Sequence, residues 1–222
     1  MAIRAFVFDL DGVITDTAEY HYRAWKRLAD EERIPFTRAD NDALRGVSRQ
    51  DSLSRLLKGR SISESLTQEW LARKNAHYLE YINQLSPQDR LPGVTAFLNA
   101  TRGAGLKLGI ASASKNARLV LERLGLTGRF DVIGDGHSVA NPKPAPDLFL
   151  WVAEALQVPA SESLVFEDAE AGIDAAKCAG CLTVGIGKAK VNHADIYLPN
   201  GLENASPAAI LSQLEADRST RG

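Results

Sequence analysis

Two patterns of apolar residues alternate along the chain and divide it into three parts. Residues 3–8 form a short apolar run that is rich in β-forming side chains and nearly free of charge, which is typical of a strand buried on both faces. Residues 17–85 instead carry apolar residues at helical spacing and contain no convincing strand. From residue 92 onward, short apolar runs alternate with amphipathic stretches.

Helices alone are predicted in the central block, at residues 17–33, 40–45, 49–57 and 63–85. Further helices are predicted at residues 93–102, 115–124, 147–157, 170–179 and 207–214. Strands are predicted at residues 106–111, 131–133, 164–166, 182–186 and 196–198.

Strands and helices that alternate in this way build a parallel sheet covered on both faces, so the predicted fold class is α/β. The first strand must belong to the same sheet. We therefore expect residues 1–15 and 88–222 to form the α/β domain, and residues 16–87 to form an all-helical domain inserted into it.

Composition excludes several classes of partner. The 222 residues include 26 basic and 28 acidic side chains, a formal net charge of −2, which gives no electrostatic reason to expect nucleic acid or a membrane. No apolar run approaches the roughly twenty residues that span a bilayer. The N-terminal apolar run leads directly into Asp9 and Asp11, unlike a signal peptide, so a cytoplasmic location is expected.

Cys178 and Cys181 form a C-x-x-C motif, for which a structural role is predicted. Residues 174–179 are predicted to end a helix and Gly180 to stop it, so the motif faces the negative end of the helix dipole, where a thiolate is not stabilised. No second pair of cysteines is present to complete a zinc site.

Chemically active side chains follow four of the predicted strands. They are Asp9 and Asp11 after the first strand, Ser112-Ala113-Ser114-Lys115-Asn116 after the second, Lys143 between Pro142 and Pro144 after the third, and Glu167 and Asp168 after the fourth. Because ligands bind at the carboxyl ends of the strands in an open parallel sheet, we expect these side chains to converge on one edge.

Each group has a plausible task. Clustered acids repel one another unless a cation lies among them, and their oxygens suit Mg²⁺, whereas lysine and hydroxyl groups suit a phosphate. A carboxylate nucleophile such as Asp9 is ionised at neutral pH, which leaves Asp11 free to transfer protons. Taken singly, each also has an ordinary interpretation: a polar turn closed by Gly12, a helix cap at Ser112 and a solvated Lys143.

Together, the motifs at the strand ends resemble those of the haloacid dehalogenase superfamily of phosphotransferases, over the whole chain. The resemblance implies a Rossmann-like core and a helical cap domain that closes over the site. It implies that Asp9 forms an aspartyl-phosphate, that Asp11 is the general acid/base, and that Ser112 and Lys143 hold the phosphate. The implied ligands of Mg²⁺ are Asp9, Asp11, Glu167 and Asp168.

The helical insertion carries its own candidate binding residues. Thr17, His21 and Trp25 recur every four residues and so share a helix face. Arg49 ends the glycine-bearing turn Arg45-Gly46-Val47-Ser48-Arg49, and its guanidinium suits bidentate capture of a phosphate. Lys74 adds a second cation. The competing interpretation is a core stripe for Trp25 and solvated charges for Arg49 and Lys74.

Several segments further resemble the sugar-phosphate mutases of this superfamily. They are Thr15-Asp16-Thr17-Ala18-Glu19-Tyr20-His21, Gly46-Val47-Ser48-Arg49, Arg73-Lys74-Asn75 and Ala111-Ser112-Ala113-Ser114-Lys115-Asn116. The resemblance implies that Arg49 holds the phosphate that is not transferred, and that His21 and Lys74 couple cap closure to Asp11. Substrate-binding roles are implied for Thr17, Trp25, Gly46, Val47, Ser48, Ala113, Ser114, Lys115 and Asn116.

The implied reaction interconverts β-D-glucose 1-phosphate and glucose 6-phosphate through β-glucose 1,6-bisphosphate and phospho-Asp9. Two alternatives remain. A sugar-phosphate phosphatase of the same superfamily would use water as the acceptor, and a non-catalytic binding protein would keep only the fold. Small sugar phosphates are the expected partners, and a mobile cap favours a monomer.

Overall fold

Six parallel strands form one sheet in the computed structural model, which describes residues 2–44, 47–187, 191 and 193–219. The strands are β1 (Ala5–Phe8), β2 (Lys107–Ala111), β3 (Val132–Gly134), β4 (Ser163–Glu167), β5 (Leu182–Ile186) and β6 (Ile196–Leu198). They lie in the order β3-β2-β1-β4-β5-β6, and each adjacent pair is parallel. The predicted α/β class is confirmed.

The helices of the described residues fall into two groups. Those of the helical insertion are α1 (Ala18–Glu31), α2 (Arg38–Asp42), α3 (Arg49–Leu57) and α4 (Glu64–Ile82). The others are α5 (Val94–Gly103), α6 (Ala117–Arg123), α7 (Asp147–Leu156), α8 (Glu170–Cys178) and α9 (Pro207–Ser219). None of the helices in this described part combines the length and the apolar character that crossing a membrane requires.

Strand β1 lies at the centre of the sheet and sets the position of the site. Its last residue, Phe8, pairs with Ile110 of β2 on one side and with Phe166 of β4 on the other. The backbone N–H of Asp9 then donates to the carbonyl of Phe166 at 2.9 Å. The three strands therefore end side by side, and the residues that follow them share one edge of the sheet.

The sheet is buried on both faces, which explains the apolar composition of its strands. Phe6 and Phe8 pack on one face in the larger apolar cluster, whereas Val7, which points to the other face, packs in a second cluster with residues of α7 and α8. The rings of Phe8 and Phe166 stack with their centroids 4.7 Å apart. Every residue of β1 is buried, as the apolar run predicts.

Helices α1, α3 and α4 pack around a third apolar cluster, which includes Trp25, Leu53 and Trp70. Within the described part of residues 17–87 no strand occurs, as predicted. The helical insertion is thus a feature of the fold. The proposed domain boundaries, residues 1–15 with 88–222 and residues 16–87, stay a prediction.

Some helix ends differ from the prediction, and at α2 the cap explains the difference. Helix α2 begins at Arg38 rather than at residue 40, because Thr37 caps it: its hydroxyl accepts from the Asp40 N–H at 3.2 Å, and the Asp40 carboxylate accepts from the Thr37 N–H at 2.8 Å. Helix α9 runs to Ser219, past the predicted end at residue 214. Helix α6 begins at Ala117 rather than at residue 115, which leaves two more residues in the loop after β2.

The cysteines have the expected structural character. Cys178 is exposed, Cys181 is buried, and both are free thiols. Gly180 between them has a φ of 84°, the left-handed conformation that ends a helix. Burial raises the pKa of the Cys181 thiol to about 12, so it is not a thiolate at neutral pH.

Candidate active site

Lys143 is the centre of the site at the sheet edge. Its ammonium donates to Asp9 Oδ1 at 2.7 Å, to Glu167 Oε2 at 2.8 Å and to the carbonyl of Ala111 at 2.9 Å. The side chain is fully buried. Burial by itself lowers the pKa of Lys143, but the carboxylates of Asp9 and Glu167 outweigh that effect and raise it above the ordinary value. The lysine is therefore a permanent cation beneath the predicted nucleophile.

Two glycines make room for the carboxylates of the β4 loop. A Cβ atom on Gly172 would lie 2.1 Å from Glu167 Oε2, and one on Gly12 would lie 2.1 Å from Asp168 Oδ2. Gly12 also has a φ of 80°, a conformation that other residues adopt at a cost. The Glu167 carboxylate accepts from the backbone N–H of Ala169 at 3.1 Å, which orients it inward.

The acids fit a divalent cation. Asp9, Glu167 and Asp168 each offer an oxygen, and these atoms lie within 4.8 Å of one another. Burial, and then the charge of Asp9, raise the pKa of Glu167 against the opposing effect of Lys143. One lysine thus faces three acids, and a hard cation would relieve the remaining repulsion. The Asp11 side chain, also a predicted ligand, does not belong to this group of three.

Asp11 instead binds the start of the helical insertion. The Thr17 hydroxyl donates to Asp11 Oδ1, and the Tyr78 hydroxyl donates to Thr17 Oγ1 at 3.1 Å. Asp11 is half-buried and lines the cavity. Desolvation, followed by the nearby charge of Asp9, raises the pKa of Asp11 to about 7. Such a carboxyl group can both hold and release a proton near neutral pH.

Ser112 is held in the loop after β2 by its backbone and its hydroxyl. Its N–H donates to the carbonyl of Gly134 at 3.1 Å, and its Oγ accepts from the Ser114 N–H at 3.1 Å. Ser112, Ala113, Ser114 and Lys115 all line the cavity. Asn116 differs, because its Nδ2 donates to Asn75 Oδ1 of α4 at 2.9 Å.

The loop after β3 supports this segment, a role that the sequence did not indicate. The Gly136 N–H donates to the Ser114 carbonyl at 3.2 Å, and a Cβ atom on Gly136 would lie only 2.6 Å from the carbonyl oxygen of Ala113. Arg118 holds the loop through Asp135 Oδ2, 3.3 Å from its Nε. The close backbone approach therefore requires glycine at position 136. In the sequence this role is signalled only by a glycine two residues after a short strand.

A second buried lysine, Lys74, lies on the opposite wall, within the helical insertion. Its Nζ lies 2.9 Å from His21 Nδ1 and over the rings of Trp25 and Tyr78, 4.9 and 4.7 Å from their centroids. Burial, and then the charge of Arg49, lower the pKa of Lys74. Burial and Lys74 likewise lower the pKa of His21 well below its ordinary value, so the imidazole is neutral. Among the residues that the structure describes, the hydrogen-bonding partner of Lys74 Nζ is His21, and no carboxylate lies within hydrogen-bonding distance of it.

The predicted turn around Arg49 is only partly a cavity wall. Val47 and Arg49 line the cavity, and burial lowers the pKa of the Arg49 guanidinium. Ser48 instead caps α3, where its hydroxyl donates to Asp51 Oδ2 at 2.6 Å and accepts from the Asp51 N–H at 3.1 Å. Gly46 lies outside the described residues.

A cavity of about 100 Å³ separates the two walls. The predicted site residues that line it are Asp9, Asp11, His21, Trp25, Val47, Arg49, Lys74, Ser112, Ala113, Ser114, Lys115 and Asp168. Trp25 thus both packs in the third apolar cluster and faces the cavity. The lining residues that were not predicted are Gly12, Asp16, Ala18, Asn41, Leu44 and Ser52. Of these, Ser52 had a usable signal, because it lies one helical turn beyond Arg49.

Known proteins resemble this chain over most of its length. The β-phosphoglucomutase of Bacillus subtilis (strain 168) is 44% identical over 190 residues, which cover 84% of each chain. A phosphorylated carbohydrates phosphatase of Thermotoga maritima is 32% identical over 180 residues, 80% of this chain and 82% of that protein. The crystal structure of a β-phosphoglucomutase from Clostridium difficile, 37% identical, matches 98% of this chain and 99% of that one with a TM-score of 0.93.

A sequence model of one family also matches residues 3–180, which include every strand-end motif described above. The matched segment contains both walls of the cavity. The chain belongs to the haloacid dehalogenase-like hydrolase family.

Proposed function

We propose that this chain is a phosphomutase that interconverts β-D-glucose 1-phosphate and glucose 6-phosphate. The observation that carries the proposal is the pair of opposed walls, with Asp9 and Lys143 on one side and Arg49 and Lys74 on the other. A mutase needs two phosphate-binding places, because its bisphosphate must present each phosphate to the nucleophile in turn. The 44% identity to a β-phosphoglucomutase supports this choice of reaction.

In the first half-reaction, phospho-Asp9 transfers its phosphoryl group to the 6-hydroxyl of β-glucose 1-phosphate. The bond between phosphorus and the Asp9 oxygen breaks as the bond to the sugar oxygen forms, and the hydroxyl proton passes to Asp11. The bisphosphate then turns around. Asp9 attacks the 1-phosphate, and Asp11 returns the proton to the leaving sugar oxygen, which releases glucose 6-phosphate.

The surroundings of the two acids support their roles. Lys143 stabilises the anionic carboxylate and phosphoryl oxygens at Asp9. The raised pKa of Asp11, about 7, allows both directions of proton transfer at neutral pH. Ser112, which is buried beside them, offers a hydroxyl group to the same phosphate.

We propose Mg²⁺ as the cation of the acidic cluster, held by the carboxylates of Asp9, Glu167 and Asp168. Asp11 remains a predicted further ligand. When bound, the cation reduces the repulsion between the anionic nucleophile and the anionic phosphoryl group. Activity that is unchanged after complete chelation of divalent metal ions would contradict this assignment.

The helical insertion is proposed to act as a cap that closes over the core domain and excludes water from phospho-Asp9. Arg49 would hold the phosphate that is not being transferred, and His21 and Lys74 would link closure to Asp11. Val47, Ala113, Ser114 and Lys115 would bind the sugar phosphate between them. Thr17 orients Asp11.

The remaining partner assignments are proposals of the same kind. We expect the protein to act as a monomer on small sugar phosphates, with no nucleic-acid partner, which a net charge of −2 favours. Sedimentation at several protein concentrations tests whether the protein is a monomer. Binding assays with mixed DNA and RNA test for a nucleic-acid partner. The expected cytoplasmic location is testable by fractionation.

The decisive experiment follows β-glucose 1-phosphate by ³¹P NMR in the presence of Mg²⁺ and a catalytic amount of glucose 1,6-bisphosphate. The expected product is glucose 6-phosphate, with free phosphate as a minor product. Free phosphate as the main product would instead identify a sugar-phosphate phosphatase. Binding of β-glucose 1-phosphate without either product would identify a non-catalytic binding protein.

A further inference from the structure

Asn116 is held by the helical insertion rather than turned into the cavity. Its side-chain Nδ2 donates to Asn75 Oδ1 at 2.9 Å, while its backbone N–H donates to Ser114 Oγ at 3.2 Å. One end of this residue is thus tied to the loop that lines the cavity, and the other is tied to α4. Both asparagines are half-buried, so the contact forms at the rim of the site.

Asn75 directly follows Lys74, the buried cation on the cavity wall that the helical insertion forms, which we call the cap wall. Successive residues of an α-helix point about 100° apart, so α4 presents Lys74 to the cavity and Asn75 to the core in a single orientation. A rotation or withdrawal of α4 would break the Asn75–Asn116 hydrogen bond. It would also move Lys74 away from the loop after β2, together with His21 of α1, which packs against α4 in the same insertion. The Asn75–Asn116 hydrogen bond and the place of Lys74 in the cavity therefore depend on the same position of the helix.

A second side-chain contact joins the end of α4 to α6 and does not line the cavity. Arg123 Nη2, at the end of α6, donates to Asn83 Oδ1, just beyond the end of α4, at 3.0 Å. Asn83 is the first residue after α4, where the chain leads back toward the sheet. This contact provides a matched comparison, because it also uses an asparagine oxygen at the same helix but joins the end of α4 to α6 instead of to the loop after β2.

We propose that Asn75 is a positioning residue that locks α4 against the loop after β2 when the cavity is closed. The lock places Lys74 and the segment Ser114–Lys115 on either side of one substrate. This inference rests on the proposed function and deepens it, because it assigns a residue to cap closure. A neutral hydrogen bond changes an equilibrium by about two- to tenfold, which suits a contact that must break in each catalytic cycle.

The kinetic test compares Asn75→Ala with Asn83→Ala. Asn75→Ala is expected to raise KM for β-glucose 1-phosphate about three- to tenfold with kcat changed less than about twofold, because saturating substrate still closes the cap. Asn83→Ala is expected to leave both constants within about twofold of the parent. Equal effects of the two substitutions would overturn the proposal, because they would reflect a general weakening of the interface.

A double-mutant cycle tests the partner. If Asn75 acts through Asn116, Asn75→Ala adds little to the KM of Asn116→Ala. Costs that multiply would show that the two residues act independently and would overturn the assignment. The conservative variant Asn75→Asp keeps an oxygen acceptor for Asn116 Nδ2, and so distinguishes loss of the hydrogen bond from loss of packing.

Hydrogen exchange of the free protein provides a readout that needs no activity. Residues 112–119 are expected to exchange about two- to tenfold faster in Asn75→Ala than in the parent, while Asn83→Ala and Asn75→Asp keep the parental rate in this segment. Unchanged exchange in Asn75→Ala would overturn the lock. If the parent lacks mutase turnover, the proposed function fails, and the exchange comparison still decides whether Asn75 holds the loop.

Discussion

Two buried lysines face each other across the cavity, and their environments are opposite. Lys143, at the sheet edge, lies 2.7 Å from Asp9 Oδ1 and 2.8 Å from Glu167 Oε2, and these carboxylates raise its pKa. Lys74, on the cap wall, lies against neutral His21 and two aromatic rings, and burial lowers its pKa. Both residues are only 1% exposed, so the difference arises from their neighbours alone.

The difference separates two tasks. The sheet edge holds its lysine with acids of the chain itself, so this wall has the groups of the chemical step in place before any ligand arrives. The cap wall gathers Lys74 and Arg49 without equal compensation, which favours the entry of an anion. We therefore propose that the first wall carries out the chemistry and that the second selects the substrate.

The largest effect is expected for Asp9→Asn, which removes the proposed nucleophile. Turnover of β-glucose 1-phosphate should fall by about 10⁴-fold or more, while circular dichroism shows the parental fold, because the amide has nearly the same shape. Asp11→Asn is the comparison variant, with an expected loss of about 10²–10⁴-fold. Activity of Asp9→Asn close to the parental value would refute the proposed nucleophile.

Replacing each buried lysine by methionine tests the contrast directly. Lys143→Met leaves two buried carboxylates without their cation, and we expect the free energy of unfolding to fall by about 3–5 kcal/mol. Lys74→Met removes a cation whose burial is already unfavourable, so the free energy of unfolding should stay the same or rise. Urea unfolding measures both. Similar losses in the two variants would show that the walls do not differ in this way.

Arg49→Ala sharpens the assignment of the cap wall. Loss of a charged hydrogen bond to the distal phosphate should lower kcat/KM of the mutase reaction about 10- to 100-fold. Hydrolysis of phospho-Asp9, which does not need that phosphate, should change much less. The two rates are measured as glucose 6-phosphate formation and free phosphate release, and an equal loss of both would argue against two phosphate-binding places.

The smallest predicted effect is the pH dependence caused by Lys74. Its folded-state pKa lies below the ordinary 10.5, so the unfolded chain binds more protons between these two values. The free energy of unfolding should therefore rise with pH in that window, by at most about 1.4 kcal/mol per unit. Comparing urea unfolding of the parent and Lys74→Met over this range isolates the contribution, since the variant should lack it.

Some site residues were predictable because their signal is local. Asp9, Ser112 and Glu167 each follow a recognisable strand, and parallel strands that end in register bring such residues together. Ser48 shows the limit of this inference. Its place beside Arg49 suggests a ligand, yet its hydroxyl caps α3 through Asp51, a role that serine fills equally well at any helix start.

Other residues carried no such signal. Asn41 and Asp16 line the cavity because the chain around them folds back over the sheet edge, and polar residues of this kind are common on any helical surface. Asn116 was expected to bind substrate but donates to Asn75, 41 positions earlier in the chain. Nothing in the sequence around Asn75 or Asn116 indicates that they pair. Only the packing of α4 against the loop after β2 brings the two side chains together.

The parallel sheet, the helical insertion and the acids, serine and lysine at the strand ends follow from the sequence alone, because hydrophobic periodicity is a local property of each segment. The opposite pKa shifts of the two lysines follow only from the folded chain, which buries distant polar groups together. Lys143 meets Asp9 across 134 positions and Lys74 meets His21 across 53, and desolvation acts only once such distant segments have closed around a charge.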